Sequence, residues 1–376
     1  MTLSTPILQF GTSRFLQAHA DLFISEAMAN GDALGGITVV QTTDSPTSAA
    51  RIQAFGDPKG YPVRIRGVVN GRPFDETRTG HAIKRALQAS QDWAEVRQAF
   101  LNAQVILSNV SDKGYDLDPA DSSFPDAQTV PRSYPAKLVS LLHHRWQVLP
   151  DAPLSLFPCE LIPRNGDKLL DAVVGLARDW GLHDHFLYYL RETCRWANSL
   201  VDRIVSQPIE PIGAVAEPYA LWAIEKQSGL ILPCAHPSIV LTDDLSRFER
   251  LKLYLLNLAH TMLAEGWLAE QREPDETVLQ AMSNPRIRAG LESCWMEEVM
   301  PVLVDQGLGT DAEAYIGHLR DRLLNPFLFH RLRDISQNHA EKKRRRLAPV
   351  VDYAQRHGLI TRQTRLRAAL ASGLGE

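Results

Sequence analysis

Three polar side chains interrupt an apolar run at residues 251–266, LKLYLLNLAHTMLAEG: Lys252, Asn257 and His260. An ammonium can give or take a proton, and an amide and an imidazole can donate hydrogen bonds to an oxygen that gains charge. Read as an α-helix at about 100° per residue with Lys252 at zero, Asn257 falls near 140° and His260 near 80°. One arc carries all three. Leu251, Leu253, Leu255, Leu256 and Leu258 fill the rest, the pattern of a helix buried on most sides. A buried Lys is costly unless it is paired or put to use. The same three residues also suit a plain core helix, with Asn and His hydrogen-bonded and the Lys charge reaching water along its stem. The surrounding elements have to decide between these readings.

The helix has a readable start. Ser246 and Glu249 have capping-box spacing, Asp243 and Asp244 place negative charge near the positive helix end, and Gly266 suits the stop. From about residue 242 onward helix follows helix, whereas strand-like runs recur before it. The expected architecture is therefore α/β: an N-terminal Rossmann-type domain over 1–241 and a mainly α-helical domain over 242–376.

The first domain opens with an apolar run at 7–10 that ends at Gly11-Thr12-Ser13, followed by helical spacing over 15–29 and a second buried run at 37–40. Strand, tight turn and helix of this kind can receive a pyrophosphate, although a full GxGxxG is absent and Ser13 stands where the second Gly would be. Gly11 alone is also an ordinary turn glycine. Asp44, just past the second strand, could accept the adenine-ribose hydroxyls and repel a 2′-phosphate, or serve as a loop residue. Asn70-Gly71 marks a hairpin, helical spacing is expected over 83–100, and 105–107 is another buried strand. The polar loop after it, Ser108 to Tyr115, lies where a nicotinamide ribose could be held. A strand at 154–157 leads to PCELIPRNG, where Glu160, Arg164 and Asn165 gather, and Asp202 and Glu217 are further candidates for polar contacts.

Composition narrows the function class. At 376 residues the chain is too long for one ordinary core, and 44% hydrophobic with 22% charged residues is the balance of a soluble globular protein. A formal charge of −4 gives no reason to expect nucleic acid as a partner, and the basic run 342–346 is by default a solvated face. The four cysteines, Cys159, Cys194, Cys234 and Cys294, show no metal-ligand spacing and fit a reduced cytoplasm. MTLSTPILQFG lacks a basic n-region with a following apolar stretch, and no window approaches a membrane span, so neither secretion nor a membrane partner is expected.

Taken together, ILQFGTSRFLQAH, LSNVSDKGY, PCELIPRNGDKL, NSLVDRIV, EPYALWAIE, KLYLLNLAHT, NPFLFH and KKRRRLAP resemble, in the same order, segments of the mannitol dehydrogenase family of polyol-specific long-chain dehydrogenases. The tagaturonate and fructuronate reductases look closest. The resemblance implies that Lys252 is the general acid/base, that Asn257 donates to the substrate oxygen, and that His260 orients Lys252 or binds a hydroxyl. It places Gly11, Thr12, Ser13, Asp44, Asn109 and Asp112 around NAD, Asp202 on a substrate hydroxyl, and Lys342 and Arg346 near a substrate carboxylate. PCELI has no Asn where mannitol dehydrogenases carry CDN, which leaves Asn165 as a second oxyanion donor. The implied reaction is interconversion of a ketouronate, fructuronate or tagaturonate, with its aldonate by hydride transfer, without a metal. A mannitol- or arabinitol-type polyol dehydrogenase is the first alternative. A non-catalytic dinucleotide-binding regulator is the second, and the charge of −4 counts against it.

Overall fold

The computed structural model describes residues 5–43, 46–110, 114–359 and 362–372, without the side chains of 46–49. The chain divides into two compact units, one of Met1–Ile65, Glu76–Ala216 and Ala220–Leu245, the other of Arg66–Asp75, Glu217–Tyr219 and Ser246–Glu376.

The first unit is built on six strands: β1 (Ile7–Phe10), β2 (Ile37–Gln41), β3 (Ile83–Gln88), β4 (Val105–Ser108), β5 (Leu154–Pro158) and β6 (Cys194–Trp196). They lie in the order β3-β2-β1-β4-β5-β6, every neighbouring pair parallel. Parallel strands covered on both faces read as unbroken apolar runs, and β1, β2, β4 and β5 are buried at every position. The chain reverses its direction of travel across the sheet between β1 and β4. Such a switch point leaves a crevice beyond the carboxyl ends of those two strands, where open α/β sheets bind ligands. Phe10, Phe100, Tyr134, Leu138, Leu156 and Trp196 belong to the core that packs helices Trp93–Asn102 and Tyr134–Val148 against the sheet.

Two expectations for this unit need correction. Residues 83–88 form the edge strand β3, and the helix is confined to Trp93–Asn102. Ile83 and Leu87 are four apart, a spacing that satisfies a helix and a strand equally, and pairing with β2 decides the matter. The helix expected over 15–29 is broken into Arg14–Gln17 and Ala20–Asn30. His19 stands at the break with non-helical dihedrals, its ring stacked on Phe15 and its Nε2 3.0 Å from Leu221 O. A smaller sheet follows, in which Leu221–Glu225 pairs antiparallel with Ser199–Asp202 and parallel with Ile239–Thr242.

The hairpin at Asn70-Gly71 forms as expected. Both turn residues have positive φ, 52° and 73°, the pair that a two-residue type I′ turn demands. Within the second unit the Asp321 carboxylate accepts the Asn70 and Gly71 N–H groups at 2.7 and 3.1 Å. Beside it lies a buried ion pair. Arg322 Nε and Nη2 donate to the two oxygens of Glu217 at 3.0 and 2.8 Å, and the guanidinium lies over the Tyr219 ring.

The rest of this unit is helical around a core of Leu255, Leu256, Trp295, Val299, Leu319 and Leu347. Helix Leu258–Ala269 runs through Gly266 rather than stopping there. Trp267 and Leu268 continue its apolar sequence, and the left-handed residue that reverses the chain is Gln271, with φ of 50°. Among the described residues no helix is long and apolar enough to cross a membrane.

Candidate active site

In the first unit the turn after β1 is shaped by one missing side chain. Gly11 has φ of +104°, and a Cβ there would lie 2.5 Å from Asn109 O. The turn is fastened on both sides, Gly11 N–H to Val40 O at 3.0 Å and Asn109 N–H to Phe10 O at 3.1 Å. Side chains beneath complete the fastening. Gln17 Nε2 donates to Thr12 O at 3.1 Å, and Thr12 Oγ1 donates to Gln41 Oε1. Ser13 caps the short helix after the turn by accepting the Leu16 N–H. That hydroxyl supplies a cap that the second glycine of a GxGxxG could not. A glycine-walled cradle at the switch point fits a dinucleotide pyrophosphate.

Below the turn lies a fully buried carboxyl group. Asp21 Oδ2 accepts from Gln9 Nε2 at 3.3 Å and from Tyr61 OH at 3.4 Å. Burial outweighs these bonds and pushes its pKa up to about 7. Among the described residues neither Asp21 Oδ1 nor Gln9 Oε1 has a hydrogen-bond partner.

The loop after β4 is organised by Glu160, whose carboxylate accepts Val110 N–H at 3.1 Å, Ser108 OH at 3.1 Å and Tyr115 OH at 3.0 Å. Burial raises its pKa despite those donors. Asn109 extends its amide to Cys159 O at 2.8 Å. Asp44 and Asp112 lie outside the described residues.

Asn165 departs from its expected use. Its Nδ2 donates to Pro158 O, Glu160 O and Ser199 O, and its Oδ1 accepts Gly166 N–H and Ser199 N–H. An amide has only two hydrogens, so Asn165 joins the ends of the β5 and Ser199–Asp202 strands and has no hydrogen left for an oxyanion. Asp202 is buried at the end of the latter strand.

In the second unit Lys252 and Asn257 are the first and last residues of a π-helical stretch, Lys252–Asn257, set between α-helical segments. Such widened turns recur at functional sites. Both side chains are half-buried and His260 is buried. The His260 ring meets that of His330 edge-on at 4.8 Å, and burial lowers the His330 pKa. Arg346 Nη1 donates to Asn257 O at 3.3 Å and Thr261 Oγ1 at 3.1 Å, and Lys342 Nζ donates to Ile335 O at 2.7 Å. Burial depresses the pKa of both basic groups. Lys252, Asn257, His260 and Arg346 are thus brought together on and beside one helix. Sequence reasoning missed His330 and Thr261. Both lie in segments that it singled out, NPFLFH and KLYLLNLAHT; Thr261 follows His260 in sequence, and His330 meets it only in space.

Comparison with known proteins extends this picture to the whole chain. Residues 5–231 match the mannitol dehydrogenase Rossmann domain, and residues 244–373 match the mannitol dehydrogenase C-terminal domain. An altronate oxidoreductase of Bacillus subtilis is 29% identical over 94% of this chain and 76% of its own length. One from Escherichia coli O7:K1 is 30% identical over 97% of this chain and 78% of its own. Among solved structures, substrate-free D-sorbitol dehydrogenase superposes with a TM-score of 0.80 at 18% identity, covering 98% of this chain and 80% of that one. Pseudomonas fluorescens mannitol 2-dehydrogenase gives 0.74 at 18% identity, over 98% and 79%. The order of the segments, the 3-2-1-4-5-6 sheet and these matches agree: the chain belongs to the mannitol dehydrogenase family of oxidoreductases.

Proposed function

We propose that this protein interconverts a ketouronate and its aldonate with NAD(H), tagaturonate and altronate being the favoured pair. The observation that carries this reading is likeness over nearly the full chain to proteins named altronate oxidoreductase. The mannitol 2-dehydrogenase of similar fold was solved with NAD and D-mannitol, which supports NAD at the Gly11 cradle. The proposed functional division is 1–241 for the dinucleotide and 242–376 for the substrate.

When bound, the reduced nicotinamide supplies a hydride to the carbonyl carbon. Lys252 gives the proton to the oxygen and takes it back in the oxidative direction, and the Asn257 amide donates to the oxygen as charge develops. His260 orients Lys252 or holds a neighbouring hydroxyl, and Asp202 accepts from another. Lys342 and Arg346 provide the positive charge that a substrate carboxylate requires and a neutral polyol does not. Gly11, Thr12, Ser13 and Asn109 border the cofactor, with Asp44 and Asp112 assigned there on sequence grounds. Asn165 we assign to holding strand ends. The four cysteines are free and buried, which suits a reducing compartment, and we place the enzyme in the cytoplasm.

A spectrophotometric assay with NADH against tagaturonate, fructuronate, fructose and, in reverse, altronate, mannitol and arabinitol tests the reading. Turnover should be highest with the altronate pair, and preference for a polyol would replace this reading with the mannitol-type alternative. Lys252→Ala should lower kcat by about 10²–10⁴-fold while NADH binding persists; unchanged turnover defeats the Lys252 assignment. NADH should be preferred to NADPH, and comparable kcat/KM values would remove Asp44 from the cofactor set.

A further inference from the structure

If Lys252 and Asn257 act on one substrate oxygen, as proposed above, their side chains have to face the same way. In an α-helix residues five apart diverge by about 140°. Here the turn is wider, and the Leu258 N–H reaches back five residues to Leu253 O. A turn closed between i and i+5 gives residues five apart the relation that residues four apart have in an α-helix. Lys-x4-Asn-x2-His then counts as i, i+4, i+7 with one residue inserted, which is a single stripe.

A π-turn is rare because the α-helix competes with it at every residue, so something outside the turn has to favour it. Two of its carbonyls receive side-chain donors from other parts of the same unit. Leu255 O accepts Trp295 Nε1 at 3.2 Å. Trp295 is fully buried and is the second residue of another π-helical stretch, Cys294–Val299. Asn257 O accepts Thr261 Oγ1 at 2.9 Å as well as Arg346 Nη1. An indole N–H can only donate. Buried at this place, it needs the Leu255 carbonyl where the widened turn presents it, and a tightened turn would move that acceptor away.

We infer that Trp295 is a positioning residue for the proposed proton transfer: its indole N–H, with Arg346 and Thr261 at the Asn257 carbonyl, holds the π-turn that sets Lys252 and Asn257 on one face. Trp295 acts through the Leu255 backbone and touches neither substrate nor cofactor.

The test is Trp295→Phe, which keeps an aromatic ring in the core and deletes the donor. With NADH and tagaturonate, kcat should fall about tenfold or more, since small misplacements of reacting groups are costly, while KM changes by less than about twofold. Val302→Ala, at another buried position of the same core, is the control and should lower the melting temperature with kcat unchanged. A wild-type kcat in Trp295→Phe overturns the inference, as does an equal loss of kcat in the control. Lys252→Ala measured alongside separates this from the reading beneath it. Turnover retained in that variant means the proton-transfer assignment fails, whereas turnover lost there but unchanged in Trp295→Phe means only the positioning role fails.

Discussion

The turn at Gly11 and the turn at Lys252, both assigned by our proposal to ligand handling, leave regular geometry by opposite means. The first subtracts a side chain: a Cβ at Gly11 would lie 2.5 Å from Asn109 O, so β1 can end against that carbonyl only without one. The second adds a residue, widening a helix by one position and presenting its carbonyls to Trp295, Thr261 and Arg346. Subtraction concentrates the whole requirement on one position. Insertion spreads it over several donors of unequal weight, so that the loss of one need not remove the whole turn. The contrast predicts steep sensitivity at the first turn and graded sensitivity at the second.

At the first turn the largest effect on cofactor binding is expected for Gly11→Ala. A positive φ and a backbone oxygen within 2.5 Å leave the methyl no room, and the strain of about 1–3 kcal/mol plus the displaced Asn109 carbonyl should weaken NADH binding more than tenfold. Wild-type NADH affinity by fluorescence titration would show that the cradle does not hold the cofactor.

Next comes Asp21→Asn, which tests whether the first turn also rests on a proton. The folded pKa of about 7 lies above the ordinary value of 3.8, so the folded protein holds a proton there that the unfolded chain releases. That contribution is complete below about pH 4 and is lost as pH rises through about 7, amounting to at most about 4 kcal/mol. Wild type should therefore lose stability relative to Asp21→Asn between pH 4 and 8 in denaturant titrations. Parallel curves for the two proteins would mean that Asp21 is ionised throughout.

The smallest effect belongs to the second turn. Thr261→Val removes one of two side-chain donors to Asn257 O and one acceptor of Arg346, whose bond to Asn257 O remains. It should cost about 1 kcal/mol of stability and lower kcat only severalfold. A loss as large as that of Lys252→Ala would break the contrast, because it would make the widened turn depend on a single donor.

Much of this arrangement was legible before any coordinates. Gly11 after an apolar run, Asn70-Gly71 between alternating segments and the strand-by-strand apolar texture carry their physics in residue type, and each formed as read. What escaped has a physical reason in each case. Ile83 and Leu87 fit two periods at once, so only pairing with β2 could assign them. The angle between Lys252 and Asn257 was counted at 100° per residue, and nothing local announces the inserted residue, because the donors that favour it come from Trp295 and Arg346, 40 and 89 residues further along the chain. Asn165 looked available because its five partners are backbone groups, which residue types do not reveal.

The pair between Glu217 and Arg322 bears on how the protein can be divided. Its acid is supplied by a three-residue excursion of the chain, Glu217–Tyr219, far upstream of the helices that enclose its base. A fragment begun at residue 244, where the second family match starts, would bury a guanidinium that has lost its carboxylate, at a cost of about 3–5 kcal/mol. The helical unit is contiguous in space and interrupted in sequence, so no single cut releases it whole.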